Sequence, residues 1–246
     1  MQKNCIIIPC YNESKRLPIN DFVSYYQKNI DIHYCFVNDG SKDNTIGLLK
    51  ELQKNREERI LVVDLPKNVG KGEAIRNGLI KAIEWKQFEY LGFFDADLAT
   101  PLTEIDNLLS ACNNEHQLIM GSRIKKMGSK IERSSMRHYL GRIFATVVGC
   151  LLKIPVYDTQ CGAKILKLSL AQKICDTPFV SRWLFDIEIL KRVLLIYGKE
   201  KTEELIIEVP LNEWEDKGKS RLKLKDFISA PFELFKIQQK YGKISK

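Results

Sequence analysis

Short runs of branched and aromatic residues recur along the first half of the chain, and each is followed at once by polar, turn-forming residues. Residues 5–8, 34–37, 60–63, 90–94 and 118–120 have the length and composition of β-strands, and amphipathic helical patterns fill the intervals at 19–29, 45–54, 72–83 and 102–112. Strands that are apolar throughout and alternate with helices belong to a largely parallel sheet covered on both faces. Asp43 or Asn44, and Thr100, are cap-type residues ahead of two of the helices. In such sheets ligands bind beyond the carboxyl ends of the strands, so the residues after each run are where chemistry is expected.

Those residues are polar at every strand end. Pro9-Cys10-Tyr11-Asn12-Glu13 follows the first run, Asn38-Asp39-Gly40-Ser41 the second, Asp64-Leu65-Pro66-Lys67-Asn68 the third and Asp95-Ala96-Asp97 the fourth. Two carboxylates at the end of an apolar strand need partners. Hard divalent ions such as Mg²⁺ or Mn²⁺ take carboxylate oxygens together with substrate phosphate and water, so Asp95 and Asp97 are candidate metal ligands. A capping Asp beside a solvated Asp is the plain alternative for the tripeptide alone. Asp39 can accept hydrogen bonds from a ribose or base, or form an Asx turn. Gly70-Lys71-Gly72-Glu73-Ala74-Ile75-Arg76 opens a helix with glycines and cations, a setting for phosphate or for an ordinary helix start.

The second half, from about Gly121, is less regular. It carries a basic stretch (Arg123, Lys125, Lys126, Lys130, Arg133, Arg137) and then a helical run to about Lys153. It is read as an acceptor-side elaboration (121–225) of one 246-residue domain whose ligand-binding strand ends lie in 1–120, with a C-terminal amphipathic helix at 226–246. The net charge of +8 favours anionic partners but does not choose among nucleic acid, membrane and phosphorylated small molecules. No nucleic-acid motif or aromatic-basic platform is present, so nucleic acid is not expected. Seven cysteines without C-x-x-C spacing and three histidines without H-E-x-x-H argue against structural zinc and for reduced cytosolic thiols. A β-like run begins almost at the first residue, so no signal peptide is expected. The most apolar later run, 143–152, is about half of the roughly 20 residues a membrane span requires, so none is predicted.

The blocks P-x-Y-N-E, N-D-G-S, G-K-G-x-A-x-x-x-G, D-x-D and Gly121-Ser122-Arg123 occur in one order, and in that order the chain resembles the family 2 glycosyltransferases of the polyprenyl-phosphate type. Asp158-Thr159-Gln160-Cys161-Gly162-Ala163-Lys164, Arg182-Trp183-Leu184-Phe185-Asp186-Ile187-Glu188 and Glu208-Val209-Pro210-Leu211-Asn212-Glu213-Trp214 are most similar to the dolichyl-phosphate β-glucosyltransferase branch. The resemblance implies an α/β fold of the GT-A kind, a Rossmann-like nucleotide-sugar-binding fold with a mixed, mostly parallel sheet flanked by helices. It implies Pro9, Tyr11, Glu13 and Asp39 at the nucleoside, Asp95 and Asp97 at metal and diphosphate, and Lys71 and Arg76 as donor-side cations. Arg182 and Trp183 would line the donor pocket, Arg123 and Arg137 would bind the acceptor phosphate, and Asp158 would lie near the acceptor. Cys161 is expected to be a buried structural residue. Ala99 stands where mannose-transferring relatives can place a further metal ligand, which favours the glucosyl form. Asn38 replaces the first Asp of the usual D-D-G-S and leaves the base open, with uridine the first expectation.

The implied activity is inverting, metal-dependent transfer of a sugar from a nucleotide sugar, UDP-glucose first, to a polyprenyl phosphate at the cytoplasmic face of a membrane. A phosphate acceptor is already anionic at neutral pH and needs no general base; a hydroxyl acceptor would make Asp158 the candidate base. A soluble transferase acting on a hydroxyl acceptor and a non-catalytic nucleotide-sugar-binding subunit are the alternatives. The intact Asp95/Asp97 pair argues against the second. The aromatic and basic tail, with Lys217, Lys219, Arg221, Lys223 and Lys225 just upstream of it, suits an anionic membrane or a helix packed on the domain.

Overall fold

Alternate residues of the first strand face opposite ways, and both directions are apolar. Cys5 and Ile7 enter one buried cluster while Ile6, Ile8 and Cys10 enter another, so the sheet they found must be covered on both sides. The computed structural model describes residues 3–113, 115–217 and 224–242, with the backbone alone at Arg137 and 224–228. Lys219, Arg221 and Lys223 therefore lie outside the described residues, as do the side chains of Arg137 and Lys225.

In chain order the elements are β1 (Asn4–Cys10), α1 (Ile19–Lys28), β2 (Ile32–Asp39), α2 (Thr45–Gln53), β3 (Ile60–Leu65), α3 (Lys71–Trp85), β4 (Tyr90–Phe93), α4 (Glu104–Ser110) and β5 (Leu118–Ser122). They continue with β6 (Lys130–Glu132), α5 (Ser135–Leu152), β7 (Lys164–Lys167), α6 (Leu168–Ile174), α7 (Phe185–Tyr197), α8 (Lys199–Leu205), β8 (Ile206–Pro210), β9 (Glu213–Glu215) and α9 (Leu224–Tyr241). Seven strands form one sheet in the order β3-β2-β1-β4-β7-β5-β8. Neighbours are parallel except β7, which runs antiparallel to both β4 and β5. Strands β6 and β9 form a separate parallel pair.

Helices α1, α2 and α4 pack into one cluster with Phe22, Leu49 and Ile105. Helices α3, α5, α6, α7 and α9 pack into the other with Leu79, Val148, Leu170, Leu190 and Ile237. Gly78 sets the approach of α3, because a Cβ there would meet the methyl carbons of Ile7 and Val37 at 2.5 and 2.8 Å, tighter than packed carbons tolerate.

The five expected strands and four expected helices are present, with ends shifted by a few residues. Strand β7 was not expected: Lys164 and Lys167 bracket two apolar residues, and a lysine at a buried position disguises a core strand. Thr100 does not cap α4, which begins at Glu104 with Thr103 at its cap position. Pro101 intervenes, and a residue preceding proline is kept out of helical geometry. Ahead of α2, Asp43 supplies the carboxylate that receives the Thr45 amide at 3.1 Å, whereas the Asn44 side chain makes no capping bond.

Candidate active site

Because β1 to β4 are parallel, their carboxyl ends lie along one edge, and this places residues 9–13, 38–41, 64–68 and 95–97 together. At the centre Lys71 Nζ, at the start of α3, lies 2.5 Å from Asp95 Oδ1. Both side chains are about a third exposed, so the pair faces an opening. Burial disfavours the Lys71 charge, but Asp95, Asp186 and Asp97 outweigh it and hold the ammonium above its ordinary pKa. Asp97 is pushed above its ordinary value by burial and by the Asp95 carboxylate, against the pull of Lys71 and Arg16.

Backbone geometry keeps the two carboxylates close. Leu98 adopts φ of +51°, a left-handed conformation unusual for a branched residue, and its amide closes a turn on the Asp95 carbonyl at 3.1 Å. Asp97 Oδ1 receives the Ala99 amide at 3.1 Å. Gly162 leaves room for Asp95, because a β-carbon there would overlap the carboxylate at its Oδ2.

Asp39 is buried at the end of β2 and ties down the loop before α3. Its Oδ1 receives the Val69 amide at 2.7 Å, and its Oδ2 receives the Gly70 amide at 3.0 Å and Asn68 Nδ2 at 2.9 Å. Arg182 in turn donates to Asn68 Oδ1 and lies against Gly70. The structure thus joins the N-D-G-S block, the glycine-rich loop and the Arg182-Trp183 segment. Asn38, the substituted first acid, donates to Asp64 Oδ1 at 2.7 Å. Pro9, one residue before the end of β1, pairs with Val37. The half-buried Tyr11 follows, and buried Glu13 forms two 2.9 Å bonds with Arg16. Arg16, which the sequence did not single out, also adds positive potential at Asp97.

Arg76 is not brought to this centre. Its Nε donates to the Cys175 carbonyl at 2.9 Å, and its guanidinium also contacts Glu73 and the Asp176 carbonyl. It fastens α3 to the end of α6, because a position five residues beyond Lys71 falls on another face of the helix.

On the far side of the edge, Arg123 and Asp158 form a two-point pair, with Nε to Oδ2 at 2.6 Å and Nη2 to Oδ1 at 2.7 Å. Asp158 also receives the Arg123 and Gln160 amides. Burial opposes its charge, but Arg123, helped by Arg133, lowers the carboxyl to about 2. A carboxylate so acidic, with both oxygens engaged, is a poor proton acceptor at neutral pH. Arg123 is correspondingly a neutralised cation, stacked 5.3 Å from the Trp214 ring centroid. The Arg137 backbone lies in the first turn of α5.

Cys161 is fully buried. Two buried charge networks carry the segments around it. Lys164 Nζ, fully buried, donates to Asp186 Oδ1 at 2.6 Å and to the Cys161 and Thr159 carbonyls at 2.7 and 3.2 Å. It therefore holds the 158–163 loop against α7. Glu188, two residues further along α7, binds the 180–181 backbone and Arg192. Lys164, Asp186 and Glu188 stood in the quoted motifs without assigned roles; the signal available was a charge inside an otherwise apolar element.

The mixed, mostly parallel sheet with acids and a lysine gathered at its strand-end edge has the architecture of the GT-A fold, and with residues 5–175 matching Glycosyl transferase family 2 the chain belongs to that family of glycosyltransferases. It is 31% identical over 94% of its length to the dolichyl-phosphate β-glucosyltransferase ALG5C of Trichomonas vaginalis, spanning 69% of that protein. It is 30% identical to the human dolichyl-phosphate β-glucosyltransferase, covering 96% of this chain and 75% of that one. The fold is shared with glucosyl-3-phosphoglycerate synthase from Mycobacterium tuberculosis, whose complex with Mn²⁺, UDP-glucose and phosphoglyceric acid superposes with a TM-score of 0.68 at 17% identity, over all of this chain and 81% of that one.

Proposed function

We propose that this glycosyltransferase moves glucose from UDP-glucose to a polyprenyl phosphate, with inversion, using Mg²⁺ or Mn²⁺ held by Asp95 and Asp97. The observation that carries the proposal is the Asp95/Asp97 pair at the end of β4, with Lys71 2.5 Å from Asp95. A carboxylate pair in which burial and the Asp95 charge raise the proton affinity of Asp97, and which already draws in an ammonium, fits a divalent cation. Among the described residues no group of three or more His, Cys, Asp or Glu gathers, so diphosphate and water would complete the shell, as hard cations of this kind prefer. When bound, the metal neutralises charge developing on the leaving diphosphate.

The chain's own residues do the rest. Lys71, beside Asp95, would donate to a diphosphate oxygen and add electrostatic stabilisation at the leaving group. The loop 67–70, pinned by Asp39, and Arg182 form the wall for the nucleotide. Arg123 and Arg137 stand on the acceptor side. The low basicity of Asp158 supports an acceptor that arrives anionic, as a phosphate with a second pKa of about 6 does, rather than a hydroxyl needing a base.

Helix α5 supports a membrane surface as the place of reaction. Met136, Tyr139, Leu140, Ile143 and Val147 are each more than half exposed along one helix, the segment from 135 to 152 contains no acid, and Lys125, Lys126, Lys130, Arg133 and Lys153 flank it. Such a face lies in an anionic interface, and among the described residues no helix is long and apolar enough to cross a membrane. Cytoplasmic placement on such a surface goes with this reading.

Radiolabel transfer from a panel of nucleotide sugars to polyprenyl phosphate, with and without Mn²⁺, tests the proposal. Metal-dependent glucosyl lipid from UDP-glucose, lost in Asp97→Asn and in Arg137→Ala, is the expected result. Donor hydrolysis with no lipid product would overturn the acceptor assignment.

A further inference from the structure

Helix α9 ends on a side chain that reaches the donor wall through three bonded steps. Tyr241 Oη donates to Glu188 Oε1 at 2.5 Å and accepts from Arg192 Nε at 2.9 Å, so one hydroxyl bridges both members of a buried ion pair on α7. The Glu188 carboxylate receives the Val180 amide at 2.8 Å and the Ser181 amide at 3.3 Å. Arg192 donates to the Ile174, Thr177 and Pro178 carbonyls, and Lys240, beside Tyr241, donates to the Pro178 carbonyl at 2.9 Å. The backbone of 177–181 is thus tied from both sides, and Ser181 Oγ receives the Leu184 amide at 2.8 Å at the entry to α7. Between these ties stands Arg182, which donates to Asn68, while its carbonyl accepts the Gly72 amide at 3.2 Å. Asn68 and Gly70 are themselves bonded to Asp39, and Gly72 follows Lys71.

From this continuous set of contacts we infer that Tyr241 and Lys240 form a latch by which α9 positions the Arg182 segment against the glycine-rich loop, making Tyr241 a positioning residue for the nucleotide donor. The inference rests on the reading of that wall as the donor site. A hydroxyl bonded to a buried carboxylate leaves the carboxylate and guanidinium short of a partner when removed, and hydrogen bonds to charged groups are the stronger ones. Tyr241→Phe keeps the ring and its packing but releases this restraint on 177–184.

The experiment compares wild type, Tyr241→Phe, Lys240→Met and, as a control, Tyr197→Phe, whose hydroxyl accepts a long 3.5 Å bond from Lys173 and is remote in the chain of contacts from Glu188. Three quantities are read: amide hydrogen exchange at Val180 and Ser181, UDP affinity in Mn²⁺, and the Michaelis constants for donor and acceptor. The latch predicts faster exchange at both amides, UDP binding weakened about tenfold in Tyr241→Phe, a raised donor KM, an unchanged acceptor KM, and wild-type behaviour in the control. Faster exchange with unchanged UDP affinity, or equal losses for donor and acceptor, would overturn the latch while leaving the donor site standing. Wild-type protein that fails to bind UDP would overturn the donor reading itself, and the latch with it.

Discussion

Replacing Asp158 by Asn tests whether that carboxylate is a structural counter-ion or a base. The Arg123 side chain is 13% exposed and that of Asp158 9%, so the pair is largely withdrawn from water. Lowering the carboxyl from 3.8 to about 2 corresponds to about 2 kcal/mol of stabilisation at neutral pH. Removing the charge also leaves Arg123 without its partner, and breaking such pairs costs about 3–5 kcal/mol. Asp158→Asn keeps one carbonyl oxygen for the guanidinium, so the lower part of that range, about 3 kcal/mol, is expected. For a chain of this length that is a fall in Tm of about 6–12 °C. The sign with pH follows from a folded pKa below the unfolded one: the stabilisation is complete above about pH 4 and is lost as pH falls through about 2. Urea unfolding of wild type and variant at pH 7, 5, 4 and 3 measures it, and the gap should be constant down to pH 5 and narrow below 4. A variant within about 0.5 kcal/mol of wild type at pH 7 would refute the counter-ion argument. If turnover were nonetheless abolished in that stable variant, Asp158 would return to the role of base.

Gly162→Ala places a β-carbon on the Asp95 carboxylate; the expected outcome is loss of most transfer activity and of Mn²⁺-dependent UDP binding, with the thermal transition changed by only a few degrees. Burial between Trp85 and Phe88 pushes the His33 imidazole from 6.5 to about 4. The unfolded chain therefore takes up a proton first, and stability should decline by about 3 kcal/mol as pH falls from 6.5 to 4, a slope that denaturation of His33→Gln should show flattened. Lys164→Met removes the donor that satisfies Asp186 and the Cys161 carbonyl; a loss of about 3 kcal/mol or more in unfolding free energy is expected. The double variant Ile143→Ser/Val147→Ser should reduce co-sedimentation with vesicles containing anionic lipid at least severalfold while leaving UDP binding intact.

Periodicity alone determined the first half of the molecule. Five apolar runs followed by polar clusters dictate parallel strands with their chemistry at one edge, and Asp95, Asp97, Lys71 and Asp39 were found there because strand ends are set by local pattern. Which of those charges face a ligand and which face one another is a matter of three dimensions. Asp158 and Arg123 are 35 residues apart and looked like an acid and a phosphate-binding cation; only the packing of the 158–163 loop against β5 makes them partners. Arg76 looked like a second donor cation until α6 supplied carbonyls to it. Strand β7, with the buried Lys164, and the α7 network that reaches Tyr241 were illegible because a charge is stable inside a core only when a distant segment completes its bonds, and no local pattern encodes a partner that the fold alone brings near.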